Sequence, residues 1–122
     1  MKALQLNHVA LHVADVDRSV RFYGTIMQLP TLERPAFDFP GAWFRLGDDQ
    51  ELHLIGNRAA EVQSHHRGTH FALVVDDLDA WEAHLDRHGA ERMQRKLRPD
   101  GAEQTFVIDP DGHWVELCKL PG

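Results

Sequence analysis

Apolar and polar residues alternate along two short stretches half a chain apart. Val9, Leu11 and Val13 take every second position in the first, and Phe71, Leu73 and Val75 do so in the second. Such alternation predicts half-buried strands over Leu6–Ala14 and Thr69–Asp76. After each strand the period lengthens: Val16, Val20, Tyr23 and Met27 recur at helical spacing, as do Leu78, Trp81 and Leu85. A helix is therefore expected behind each strand, the second with a capping-box pair at Asp79 and Glu82 and a stop at Gly89. Alternation returns at Trp43–Leu46 and Glu51–Ile55, and again at Thr105–Asp109 and Trp114–Lys119. Asp48-Asp49 and Asp109-Pro110-Asp111-Gly112 are turn sequences between neighbouring strands. Shorter strands are expected near Thr31–Arg34 and Glu91–Arg95.

The pattern repeats. Residues 8–17 align with 70–79, matching His8 with His70, Ala10 with Ala72, Leu11 with Leu73, Val13 with Val75, Asp15 with Asp77 and Asp17 with Asp79. The offset is 62 (70 − 8), and at that offset Phe44 and Leu46 meet Phe106 and Ile108. One inserted residue then brings His53 onto Glu116, at 63 (116 − 53). The chain reads as one α+β domain over 1–122, made of paired βαβββ modules. The two pseudo-repeats cover about 1–57 and 68–122 and join near Gly56–Thr69.

Parity along the strands selects the chemistry. With Val9, Leu11, Val13, Phe71, Leu73, Val75, Leu52, Leu54, Val115 and Leu117 turned toward the helices, His8, His53, His70 and Glu116 all take the other face. Three imidazoles and a carboxylate suit a divalent transition metal: zinc, nickel, iron(II), manganese or cobalt. Single ligands on four separate strands point to an open site with room for water or substrate, since closed structural sites draw on close ligand pairs. His12 and Trp114 share this parity and are candidates for the substrate pocket. Trp43 and Arg45 lie opposite Phe44 and Leu46. His65-His66-Arg67 reads as solvated linker, and Leu29–Gly41, with three prolines, as the variable substrate-facing loop.

Composition narrows the partners. The net charge of −6 over 122 residues argues against nucleic acid and anionic membrane surfaces, and no apolar run is long enough to span a bilayer. Cys118 stands alone, which fits a reducing compartment, and no signal-peptide pattern is visible, so a cytoplasmic location is expected.

The motifs around His8, around His70 and over Asp109–Leu117 resemble the vicinal-oxygen-chelate superfamily. That superfamily includes glyoxalase I, fosfomycin-resistance thiol transferases, extradiol dioxygenases, methylmalonyl-CoA epimerase and bleomycin-binding proteins. The resemblance implies a mixed sheet curving around a metal cleft with helices on its outer face. It implies His8, His70 and Glu116 as the metal triad and His53 in the fourth position, where glyoxalase I has glutamate. It also implies a homodimer acting on a small-molecule substrate. A metal-dependent lyase or isomerase is expected, chelating vicinal oxygens of its substrate and stabilising an enediolate-like intermediate, with Glu116 or His53 as catalytic base. His12 replaces the arginine of glyoxalase I, which counts against glutathione, whereas Asn57 matches an asparagine near the glutathione moiety. Ala10 replaces the threonine of fosfomycin transferases. The other expectations are a bleomycin-resistance-type protein that sequesters a drug or metabolite, and a small extradiol-type dioxygenase.

Overall fold

Backbone pairing gathers the alternating stretches of each half into a sheet of its own. The computed structural model describes residues 1–122 and divides into two compact units, Met1–Ala60 and Glu61–Gly122. The first unit holds β1 (His8–His12), α1 (Val16–Arg21), β2 (Thr31–Leu32), β3 (Gly41–Leu46) and β4 (Gln50–Ile55). Its sheet runs β1-β4-β3-β2, with β1 and β4 parallel and the other pairs antiparallel. The second unit holds β5 (Phe71–Val74), α2 (Leu78–Arg87), β6 (Glu91–Arg92), β7 (Lys96–Leu97), β8 (Glu103–Ile108) and β9 (Trp114–Lys119). Here the order is β5-β9-β8-β6, again with one parallel pair, β5 and β9, and β7 pairs with the other end of β8. The architecture is α+β, two mixed sheets each carrying helical structure, as the alternation and helical periods predict. Strand β7 is an addition, because two residues in a polar stretch leave no periodic signal.

Both helices begin on matched residues of the repeat. Asp15 accepts a hydrogen bond from the Arg18 backbone N–H at 3.1 Å, and Asp77 accepts one from Ala80 at 3.0 Å. Each carboxylate satisfies an N–H that the first helical turn leaves without a partner. The expected capping box is thereby corrected: Asp77 caps α2, while Asp79 and Glu82 both accept from Arg95. Glu82 also accepts from Arg92 at 2.9 Å, so side-chain pairing with the strand that follows outcompetes the local cap. Gly89 ends α2 with φ of 65°, the left-handed geometry that favours glycine.

The first helix departs from a simple helical period. After Arg21 the chain makes one π-helical turn, Phe22–Ile26, closed by the Met27 N–H on the Phe22 carbonyl at 2.9 Å. The wider turn lets the adjacent Phe22 and Tyr23 both be buried, together with Met27.

Cross-strand register shows which side chains share a face. In the first unit Phe44 pairs with the buried Leu52, and in the second Val107 pairs with Val115 and Thr105 with Leu117, all fully buried. Full burial of each such aliphatic or aromatic side chain contributes about 1.5–3 kcal/mol. Phe106 instead pairs with Glu116, as Trp43 does with His53. The expected match of Phe44 with Phe106 is therefore one residue out. Phe44 corresponds to Val107 and Trp43 to Phe106, both at 63 (107 − 44, 106 − 43). The extra residue of the second half lies before β8, not between β8 and β9. The tight Asp109–Gly112 turn then leads into β9, with Asp109 Oδ1 accepting from the Asp111 and His113 N–H groups at 2.8 Å each.

Candidate functional site

Each unit presents one pair of the expected ligands on the sheet face turned away from its helix. In the second unit, His70 lies just before β5 and Glu116 in the middle of β9. His70 Nε2 is 3.4 Å from Glu116 Oε1. Two ligands bound about 2.1 Å from one octahedral ion at right angles are about 3 Å apart, so this pair already has near-chelating spacing. Glu116 is only 5% exposed. Its other oxygen, Oε2, accepts from Arg98 Nη1 at 3.0 Å, and Arg98 is itself tied to Asp100 through Nε and Nη2. The buried carboxyl group therefore lies beside a cation, with one oxygen facing His70. The Asp100 hydrogen bond, with the nearby Glu116 charge, raises the Arg98 guanidinium well above its ordinary value. In the same way Arg98 holds the Asp100 carboxyl below the usual range.

The first unit places His8 at the start of β1 and His53 in β4, where Ala10 is the direct neighbour of His53. Ala72 occupies the equivalent place beside Glu116, so a small residue flanks both central positions. His53 lies between two rings: the His8 imidazole at 4.2 Å and 16°, and the Trp43 indole at 3.9 Å and 2°. Its Nε2 meets Glu51 Oε1 at 2.8 Å, and His8 Nδ1 meets Asn7 Oδ1 at 2.8 Å. Imidazole lone pairs lie in the ring plane, so two stacked rings do not aim at one point. For both to reach a common ion, His53 or His8 must turn about its side-chain bonds. No group of three His, Cys, Asp or Glu side chains lies close enough to hold an ion. The donor types nevertheless fit a divalent transition metal: imidazole nitrogens, and a carboxylate that burial and Arg98 hold in place.

The other candidates lie at the ends of the strands, and the cavity that Asn57 lines contains none of the four expected ligands. His12, at the end of β1, has Nε2 3.0 Å from the Gly56 carbonyl. Asn57 follows β4 in the left-handed region, with φ of 61°. It lines a cavity of about 570 Å³ together with Arg34, Pro40, Gly41, Asp15 and Asp17. Trp114 opens β9 half-buried, its ring 5.0 Å from His65 and 5.8 Å from Phe106. Cys118 is buried, and burial followed by the Glu116 charge pushes its thiol up, consistent with an inert side chain.

Sequence reasoning missed two residues of the site. Glu51 shares the parity of His53 two positions away, a visible signal. Arg98 lies between β7 and β8 outside any periodic stretch, and only tertiary structure brings it to Glu116. Three aromatic rings also extend the first unit's face. Phe37 is 6.1 Å from Trp43 and 5.1 Å from Phe39, and the Arg34 guanidinium lies 4.9 Å from both phenyl rings.

Paired modules of this topology are shared with known proteins. The model of the Glyoxalase/Bleomycin resistance protein/Dioxygenase superfamily matches residues 5–117. The chain belongs to that superfamily. It is 31% identical over 128 residues to the lactoylglutathione lyase of Haemophilus influenzae, across 95% of this chain and 93% of that one. It is 27% identical over 121 residues to the metallothiol transferase FosB of Bacillus licheniformis, across 95% of this chain and 75% of that one. Among solved structures, a glyoxalase family protein from Bacillus anthracis matches with a TM-score of 0.85 at 23% identity, across 99% of this chain and 98% of that one. That likeness speaks to the fold. No helix is long and apolar enough to cross a membrane.

Proposed function

We propose that this chain is a metal-dependent enzyme of the lyase or isomerase type acting on a small molecule with vicinal oxygens. The observation that carries the reading is the His70–Glu116 pair, 3.4 Å apart, with Glu116 buried and held from behind by Arg98. His8, His53, His70 and Glu116 would hold a divalent ion, which when bound supplies Lewis acidity toward the substrate oxygens. Glu116 is the base: one oxygen stays with Arg98 while the other is directed to the site, in position to take a proton. His53 serves as ligand and second base candidate once its imidazole leaves Glu51 and the ring stack. The similarity to a lactoylglutathione lyase and to a metallothiol transferase supports small-molecule chemistry. Homodimer formation, with ligand pairs contributed by two copies, belongs to the same proposal.

The test is metal analysis of untagged protein followed by isothermal titration with zinc, nickel, manganese and iron(II). One divalent ion per complete site is expected, with affinity falling sharply in His70→Ala and with Glu116→Gln losing turnover. Protein that binds none of these ions, or a Glu116→Gln variant that turns over normally, refutes the proposal.

The aromatic run of Trp43, Phe37 and Phe39 favours a second reading, sequestration of a planar drug or metabolite without chemistry. Metal-independent binding of such compounds, with no turnover of any, is its signature.

A further inference from the structure

Beside the His70–Glu116 pair the second unit has a small, one-signed cavity. It encloses about 120 Å³ and is lined by His66, Arg67, Met93, Gln94, Lys96, Gln104 and Phe106. The lining contains two permanent cations, a titratable imidazole and two amides, but no carboxylate. In a chain with a net charge of −6, such a local excess of positive charge is not what average composition produces.

Three other cations of this unit are satisfied internally. Arg92, Arg95 and Arg98 all hold carboxylates. By contrast the Arg67 guanidinium, the Lys96 ammonium and the side-chain amides of Gln94 and Gln104 have no intramolecular partner. The His66 ring makes only ring contacts, with His65 at 4.1 Å, Trp114 at 5.5 Å and Phe106 at 6.0 Å. Charged hydrogen-bond donors converging without an acceptor are complementary to an oxyanion.

The floor of the cavity ties it to the site already described. Phe106 pairs with Glu116 across β8 and β9, and its ring meets the His70 imidazole edge-on at 5.1 Å. A ligand whose anionic group occupied the cavity would therefore have its neighbouring atoms near His70 and Glu116.

From this geometry we infer that His66, Arg67 and Lys96, with Gln94 and Gln104, form an oxyanion subsite. It would take the phosphate, phosphonate or carboxylate group of the substrate. Loss of water and then the positive charge of His65, Lys96, Arg67 and His70 hold the His66 imidazole below its ordinary value, as expected where anionic countercharge is lacking. A bound oxyanion reverses that field and raises it. Use of the subsite in turnover rests on the proposed function, whereas occupancy of the subsite itself does not.

The experiment titrates inorganic phosphate, methylphosphonate and acetate into chelator-treated protein, followed by nuclear magnetic resonance and calorimetry. At least one of the three is expected to shift the resonances of His66, Lys96 and Gln104 and to raise the His66 pKa; which one does so assigns the anion. Loss of one charged contact weakens binding about tenfold or more, so Arg67→Ala and Lys96→Ala should each do so, and Arg67→Lys should retain part of the affinity. Unchanged resonances elsewhere establish that the variants are folded. Absence of localised shifts with all three anions, or wild-type affinity in both alanine variants, overturns the subsite. Protein that binds the anion but no divalent ion defeats the proposed function while leaving the subsite standing.

Discussion

The indole of Trp43 lies flat on the imidazole of His53, with ring centroids 3.9 Å apart and planes 2° from parallel. The stacked imidazole has its Nε2 engaged by Glu51 at 2.8 Å. Recruitment of His53 to an ion changes the stack, and tryptophan emission reports it. Addition of zinc or nickel to metal-free protein should alter the fluorescence. Trp43→Phe should abolish that component while the signals of Trp81 and Trp114 remain. An unchanged spectrum at saturating metal would remove His53 from the ligand set.

Arg98 offers a different lever on the site. Its guanidinium orients the Glu116 carboxylate from the side opposite His70. Removing an outer partner of a metal-site residue commonly lowers affinity or activity about 10–100-fold. Arg98→Met should lower kcat/KM over that range, with Arg98→Lys recovering part of it. Equal loss in both variants, together with a lowered Tm, would mean that Arg98 acts through folding instead.

The cap at Asp77 separates two accounts of how the second helix begins. Asp77→Ala removes the acceptor for the Ala80 N–H and should cost about 1 kcal/mol, whereas a capping box centred on Asp79 would leave that variant near wild type. Urea unfolding of Asp77→Ala beside Asp79→Ala decides the matter through the ordering of their midpoints.

Acid sensitivity should have a contribution from Asp86. Its hydrogen bonds to Arg92, and then the charge of that guanidinium, hold the Asp86 carboxyl below its ordinary value. The unfolded chain therefore takes up the proton first as pH falls. The stabilisation is complete above the ordinary carboxylate pKa of about 4 and is lost as pH drops through the lower folded value. Asp86→Asn should flatten the acid limb of a Tm-against-pH curve between about pH 2 and 4 and leave the neutral plateau little changed. An unaltered acid limb would show that the Arg92 pair does not persist in solution.

Much of the architecture can be read from alternation, because burial of one sheet face imposes it. Val9, Leu11 and Val13, or Val115 and Leu117, have no other way to meet the core. Parity likewise predicted the face that carries His53, Glu116 and Trp114, since a side chain on a strand has only two directions to take. What escaped is non-periodic. The π-helical turn at Phe22–Ile26 depends on hydrogen bonding that residue identity does not encode. Strand β7 is too short to carry a pattern, and Arg98 reaches Glu116 only through tertiary contact. The mismatch of Phe44 with Phe106 arose because two apolar residues, Phe106 and Val107, stand side by side. Only the pairing partner distinguishes the core residue from the one on the open face.

The repeat offset has a consequence for redesign. It is 62 between β1 and β5 but 63 between β3 and β8 and between β4 and β9, so the added residue falls in the connection ahead of β8. A residue added inside a strand would instead have reversed every side chain beyond it. The stretches of Gln28–Pro40 and Gly89–Ala102 that lie outside β2, β6 and β7 are therefore the seams at which the halves can be recombined. Grafted hairpins cut there would keep their histidine or glutamate facing outward, whereas a splice one residue out of register within β4 or β9 would bury it.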